Sequence, residues 1–362
     1  MQLTSLAGKP AQTGERSPEP AKAKAPLSLL PNTVLLRSWF LAAISSKPHL
    51  LHASLACLLW LTSTPGGIFV NVNKSPVLHF VRKNTFYKQF CAGETALTRA
   101  GPLVCDALTA GRLPPKAMMD VLHEICRGAR NKNARVIIDA ESQHYQKGNF
   151  LVGMELAHIY NRDGCARIYN TYQAYLKSTA ATLDTHLKHA AEGGFTLGLK
   201  LVRGAYMSSD ERSLIQDTKQ DTDIAYNAIS QGALKCEIGR FGAPRGLSFP
   251  SVDLFLASHN RESLVTAHKT HQSRVQLGLP TVPLDFAQLH GMSDDLSFDL
   301  VQRGARGDHT PGVYKCSTRG TLGQCLAYLM RRAAENRDAV SRSSDEYRAL
   351  KKEIRGRLGF RR

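Results

Sequence analysis

The chain has 362 residues, 43% of them hydrophobic and 21% charged, with 28 Gly and 16 Pro. That is an ordinary globular mixture, long enough for one large α/β domain or two smaller ones, and it excludes a disordered, collagen-like or coiled-coil protein. The formal net charge of +17 sits at the ends, with 10 basic against 2 acidic residues over 1–93, 11 against 5 over 331–362, and 26 against 23 between them.

This distribution comes without zinc-finger spacing, an RNP-like signature or a basic helix interleaved with aromatics. Nucleic acid is therefore not the expected partner, and an import signal or an anionic membrane surface is. Eight cysteines (57, 91, 105, 126, 165, 236, 316 and 325) occur without a C-x-x-C, and read as free thiols rather than a disulfide framework or a zinc site. The longest apolar run, Leu50 to Thr62, is interrupted by His52 and is too short to cross a bilayer.

In chain order, residues 1–26 are rich in Pro, Ala, Lys and Ser and read as a disordered leader. After Glu19 the next acidic residue is Glu94, which is the composition of a mitochondrial presequence. Residues 27–93 are expected to form an N-terminal helical region. Its apolar segments, Val34–Ile44 and Leu50–Leu61, are separated by Ser45-Ser46-Lys47-Pro48 and read as helices that pack on the core or lie on a membrane surface. Residues 94–362 form the third region, opening with the short segment Pro102–Leu108 and one helix at Lys116–Arg130.

From Asn133 strands alternate with helices. The strands are expected at Arg135–Asp139, Ala166–Tyr172, Thr196–Val202, Asp253–Ser258, Leu284–Leu289 and Val313–Cys316. The helices are expected at Leu151–Asn161, Ala174–Ala191, Asp221–Cys236, Glu262–Leu277, Leu296–Arg303 and Thr321–Ala339. That order signals a parallel sheet, either open and doubly wound or closed as a (βα) barrel. Polar residues at successive strand ends favour the barrel: Asp139 and Glu141, Asn170, Lys200 and Arg203, Ser258-His259-Asn260, and His290. No G-x-G-x-x-G follows a strand and no P-loop is present. Only six βα units are recognisable where a closed barrel has eight, and the interval Gly93–Arg135 is too short for two more.

Several residues carry chemistry. Lys200 lies in the apolar strand Thr196–Val202, so its ammonium must meet an anion, a cofactor or open water. Arg331-Arg332 lies on the helix after the last strand, with Glu335 four residues beyond Arg331 and in range of an ion pair. Arginine suits bidentate capture of a carboxylate, and the plain alternative is a solvated basic face. Asp139 and Glu141 share one face of a strand end, where paired carboxylates perform acid–base work or orient arginines. Ser258-His259-Asn260 offers phosphate or ribose contacts, and Thr222-Asp223 reads as a helix start.

Seven motifs then occur in a familiar order: Ile138-Asp-Ala-Glu141, Tyr169-Asn-Thr-Tyr-Gln173, Lys200-Leu-Val-Arg-Gly-Ala-Tyr206, Asp221-Thr-Asp223, Ala257-Ser-His-Asn260, Gln288-Leu-His-Gly-Met292 and Tyr328-Leu-Met-Arg-Arg-Ala-Ala-Glu-Asn336. With Phe86–Glu94 upstream, the chain resembles the proline dehydrogenase (proline oxidase) family, in its fungal mitochondrial form, from about Pro26 to Phe360. The resemblance implies an FAD-containing (βα)8 TIM-type barrel. It implies oxidation of L-proline to Δ1-pyrroline-5-carboxylate and passage of electrons to a membrane quinone, on the matrix side of the mitochondrial inner membrane. Carried over, Arg331 and Arg332 would bind the proline carboxylate, Asp139 would orient them, and Tyr328 and Leu201 would pack on the substrate ring. Lys200 would lie at the flavin's reactive edge, with Asn170, Val202, Gly204, Ser258, His259 and Glu335 around the FAD; no metal is implied.

The chain also departs from the family. Thr95-Ala-Leu-Thr-Arg-Ala-Gly-Pro102 replaces the early-strand lysine context, and Cys316 follows Tyr314-Lys315 where the family has a tyrosine. An internal deletion of the first two βα units accounts for these departures, Cys316 excepted. An incomplete barrel is therefore expected, and the competing reading is a relative that keeps parts of the FAD and carboxylate sites without turning over.

Overall fold

The computed structural model describes residues 67–71, 90–95, 97–207, 209–304 and 311–318, together with isolated residues between 322 and 355. Eight strands form a closed ring in chain order: β1 (Gly67–Asn71), β2 (Phe90–Thr95), β3 (Arg135–Ile138), β4 (Ile168–Gln173), β5 (Leu197–Val202), β6 (Val252–Ala257), β7 (Leu284–Leu289) and β8 (Gly312–Thr318). Pairing is parallel from β2 round to β8, whereas β1 is antiparallel to both β2 and β8. Helices α1 (Pro102–Thr109) and α2 (Lys116–Asn131) lie between β2 and β3. One helix then follows each strand from β3 to β7: α3 (Gln143–Tyr160), α4 (Thr179–Gly193), α5 (Lys219–Lys235), α6 (Arg261–Gln276) and α7 (Asp294–Gly304). Among the described residues no helix is long and apolar enough to cross a membrane.

Strands β3 to β8 are the six expected from the sequence. The other two strands correct the picture of the N-terminal part. Gly67–Asn71 and Phe90–Gly93 are strand, within the stretch read as helical over 27–93. A sheet that stops at β2 and β8 would present two rows of unpaired backbone groups, and β1 satisfies both rows at once. The gap left by the short Gly93–Arg135 interval is thus patched by a strand running the other way. The leader over 1–26, the apolar segments Val34–Ile44 and Leu50–Leu61, and all but isolated residues of Thr321–Ala339 lie outside the described residues.

Several helix starts also differ from expectation: α4, expected from Ala174, begins at Thr179. Helix α3 begins at Gln143, eight residues before Leu151, through a polar run containing Gly148. That glycine is a contact point, because a Cβ there would stand 2.4 Å from the Leu108 Cα. Helix α5 is started by Thr218, which exchanges capping-box bonds with Asp221, and not by Thr222-Asp223. Asp223 is free for another task.

Alternation along the strands sorts the apolar residues into two cores. Outward residues, among them Val136, Ile168, Leu199, Leu201, Leu254 and Phe286, pack against the helices in the main core. Inward residues Ile137, Tyr169, Phe255, Ala287, Tyr314 and Cys316 fill the ring. Beneath this filling Arg135 pairs with Asp285 and lies over the Tyr169 and Tyr314 rings, at 5.5 and 5.8 Å from their centroids. Asp285 also accepts the Gly312 N–H at 2.7 Å, and Asp253 accepts the Ala166 N–H at 2.8 Å.

Buried Asp253 has one oxygen, Oδ1, without a hydrogen-bond partner, and burial raises its pKa against the opposing pull of the Ala166 N–H and Arg135. A carboxyl whose folded pKa is raised contributes stability that is complete below the unfolded value of about 3.9 and is lost as pH rises through the folded one. Asp253→Asn mimics the protonated acid. It is expected to raise the urea midpoint at neutral pH by the equivalent of about 1 kcal/mol and to match the parent protein near about pH 4. An equal gap at both pH values would contradict this account.

Candidate active site

Lys200 is on β5, in register with Thr171 on β4 and Phe255 on β6. Phe255 fills the ring, so Lys200 shares its inward face, beside the aromatic filling. Its side chain is only 3% exposed, and its Nζ lies 3.2 Å from Oδ1 of Asp139, one residue beyond β3. Asp139 is 30% exposed and also accepts the N–H of Ala140 at 3.0 Å. The buried ammonium thus meets an anion that opens to solvent at the C-terminal end of the barrel, where barrels of this kind assemble their sites.

Further inward positions surround the pair. Val202 stands in register with Gln173, at the ends of β5 and β4. Gln173 is 2% exposed; its Nε2 donates to the Glu141 carbonyl at 3.4 Å, and its Oε1 has no hydrogen-bond partner. Cys316, on β8 beside Leu289 of β7, is buried in the same interior.

The segment after β5 is anchored by Arg203. Its Nε donates to Asp223 at 2.7 Å, its Nη2 to Ser263 at 2.9 Å and its Nη1 to Ser258, while the guanidinium lies 4.2 Å from the Tyr226 ring centroid. Burial works against ionisation of Asp223, but hydrogen bonds from Lys219 and Arg203 outweigh it and hold the carboxyl below its usual range. Next in sequence, Gly204 has φ +142°, and a Cβ there would strike the Tyr175 ring. Ser258 accepts the N–H of Asn260 as well, His259 Nε2 accepts the N–H of Leu289 at 3.0 Å, and the Asn260 side chain caps α6. Lys200, Asp139, Val202, Gly204, Ser258 and His259 therefore lie on β-strand ends or the segments that follow them.

Other expected site residues are placed elsewhere. Leu201 is fully buried in the outer core, in register with Leu256 and Tyr172, because adjacent strand residues face opposite sides. Asn170 also faces outward: its amide donates to the Phe150 carbonyl at 3.3 Å, and its side chain occupies the space a Cβ on Gly153 of α3 would need. Glu141 does not pair with Asp139; its carboxylate takes the Thr98 N–H at 3.2 Å, the Thr98 hydroxyl and the Asn149 amide. His290 is exposed. Tyr328, Arg331, Arg332 and Glu335 lie outside the described residues. Sequence reasoning missed the brace between Arg203 and Asp223, since nothing in their 20-residue separation signals contact.

The chain matches the family model described as proline dehydrogenase over residues 44–345. It is 30% identical over 251 residues to the probable mitochondrial proline dehydrogenase of Schizosaccharomyces pombe, covering 67% of this chain and 50% of that one. It is 36% identical over 250 residues to the hydroxyproline dehydrogenase of Mus musculus, covering 67% of this chain and 52% of that one. The chain thus spans about half the length of the curated relatives it matches. Among solved structures, proline utilization A from Bdellovibrio bacteriovorus superposes with a TM-score of 0.52 at 22% identity, over 67% of this chain and 24% of that one, a likeness of fold. The ordered motifs, the barrel whose strands run parallel from β2 to β8 and the extent of the family match together make this chain a member of the proline dehydrogenase family.

Proposed function

We propose that this chain oxidises L-proline to Δ1-pyrroline-5-carboxylate in the mitochondrion, with FAD as the hydride acceptor and a membrane quinone as the onward electron acceptor. The observation that carries the reading is the buried Lys200–Asp139 pair at the open end of the barrel. The oxidation removes a hydride from the ring carbon next to nitrogen and a proton from that nitrogen, leaving a C=N bond. FAD, when bound, supplies the hydride-accepting chemistry.

The residues present fit that cofactor. An unpartnered acceptor on Gln173, a buried ammonium and a glycine that keeps the backbone close meet at one rim. Lys200, Val202, Gly204, Ser258 and His259 would hold the flavin nucleotide, with Glu335. Lys200 places a fixed positive charge in a water-poor interior, and Asp139 fixes its position. The aromatic filling below closes the interior from the far end. Arg331 and Arg332 would take the proline carboxylate, with Tyr328 against the ring.

A second reading has its own support. Relatives named hydroxyproline dehydrogenase, from Bos taurus at 34% and Mus musculus at 36%, are as similar to this chain as the S. pombe protein at 30%. The same site then takes a hydroxylated proline. Anaerobic flavin bleaching with each amino acid decides: faster reduction by L-proline is expected, and faster reduction by hydroxyproline would replace the first reading with the second.

Two substitutions test the roles. Lys200→Met leaves Asp139 without its cation and is expected to slow proline-dependent flavin reduction by roughly tenfold or more, while Lys200→Arg retains part of the rate. Arg332→Ala should abolish proline-dependent reduction, because loss of a charge-assisted carboxylate partner costs on the order of 2–5 kcal/mol. Dye reduction at the parent rate with unchanged proline dependence would remove Arg332 from the site.

A further inference from the structure

Three loops at the open end of the barrel converge on one carboxylate. Asp210, in the segment after β5, is 8% exposed. Its Oδ1 accepts the Ser142 hydroxyl and the Gln143 N–H, each at 2.9 Å, and its Oδ2 accepts the Tyr175 hydroxyl at 2.6 Å. Ser142 precedes α3 without capping it through its own side chain. Asp210 therefore supplies, from a different loop, the anion that the first turn of α3 lacks.

Other bonds join the same loops. The Tyr206 hydroxyl donates to the Ala140 carbonyl at 3.0 Å, and the Tyr175 N–H donates to the Arg203 carbonyl at 2.8 Å. A turn closed by the Asp210 N–H on the Tyr206 carbonyl, at 2.8 Å, sets the spacing between Tyr206 and Asp210. Burial and the neighbouring carboxylate push the Tyr175 phenol up, so it remains a donor. Ala140 adjoins Asp139, and Arg203 and Gly204 follow Lys200 by a few residues. The loops that Asp210 fastens together thus adjoin both halves of the Lys200–Asp139 pair, Asp139 just past β3 and Lys200 near the end of β5.

We propose that Asp210 is a positioning residue that locks the loops after β3, β4 and β5 into one rim, and so holds Asp139 against Lys200. The carboxylate is matched to this task because it only accepts and all three neighbours donate. An asparagine of the same shape removes the charge, and can keep Ser142 and Gln143 only by turning its NH2 toward the Tyr175 hydroxyl, which must then reverse from donor to acceptor. The catalytic part of this proposal rests on the function proposed above; the structural part does not.

Hydrogen exchange on the full chain, read by peptide, tests it. In Asp210→Asn, peptides covering 140–146, 174–178 and 203–210 are expected to exchange faster together, by about tenfold, while peptides from β6 and β7 keep the parent rate. Tyr175→Phe alone gives a smaller rise in the same three peptides, and decides the question if Asp210→Asn does not accumulate. In proline-dependent flavin reduction, kcat should fall in Asp210→Asn by about tenfold with KM changed by less than about threefold, since the fault lies in the geometry of the charged pair. Faster exchange confined to 203–210, or spread equally into β6 and β7, would overturn the proposal, as would a loss that appears only in KM. A parent protein that proline does not reduce would overturn the proposed function, while the exchange pattern would still judge the rim.

Discussion

The interior of a β-barrel this size has to be filled by its own inward side chains, and the rest of this structure depends on how that space is filled. Here Tyr169, Phe255 and Tyr314 form the filling, with Ile137, Ala287 and Cys316 around them. Below it, Arg135 and Asp285 neutralise one another against two aromatic faces. Beside it, the inward residue of β5 in register with Phe255 is a lysine. An ammonium in that position cannot turn back into the apolar layer, so its only favourable exit is toward the open end and Asp139. The charged pair at the candidate site is a consequence of the apolar plug beside it.

Much of the fold was legible in the sequence because it is written in local alternation. The six strands from Arg135 onward, the helices between them and the polar strand ends all follow from periodicity and composition. Lys200 stood out because a charge inside an apolar strand demands a partner. The two early strands did not, because nothing local distinguishes Gly67–Asn71 from the apolar stretches before it. Its conformation is fixed by two distant edges that need pairing. The start of α3 was hidden for a related reason: Gly148 breaks the local signal, yet it is required by close approach to Leu108.

The site was less legible than the fold. Carrying roles over by motif placed Lys200 and Leu201 together, although neighbours on a strand face opposite sides, and parity alone separates them. The same parity puts Asn170 against α3. Asp223 looked like a helix cap but braces Arg203, and Glu141 looked like half of a catalytic pair but secures Thr98 and Asn149. These carboxylates show how a barrel mouth divides its polar residues between reaction and scaffold, a division visible only once the strands are in register.

The antiparallel closure by β1 also orders events during synthesis. Its two partners are β2, which follows it closely, and β8, which lies some 240 residues later in the chain. Until β8 has left the ribosome, the nascent chain carries an open curved sheet with one row of β1 backbone groups unpaired, the condition that exposes sheet edges to other chains. Ring closure is therefore a late, long-range step, and pairings of such high sequence separation form slowly. A chain that stops before Gly312 leaves that edge with no strand of its own to accept it.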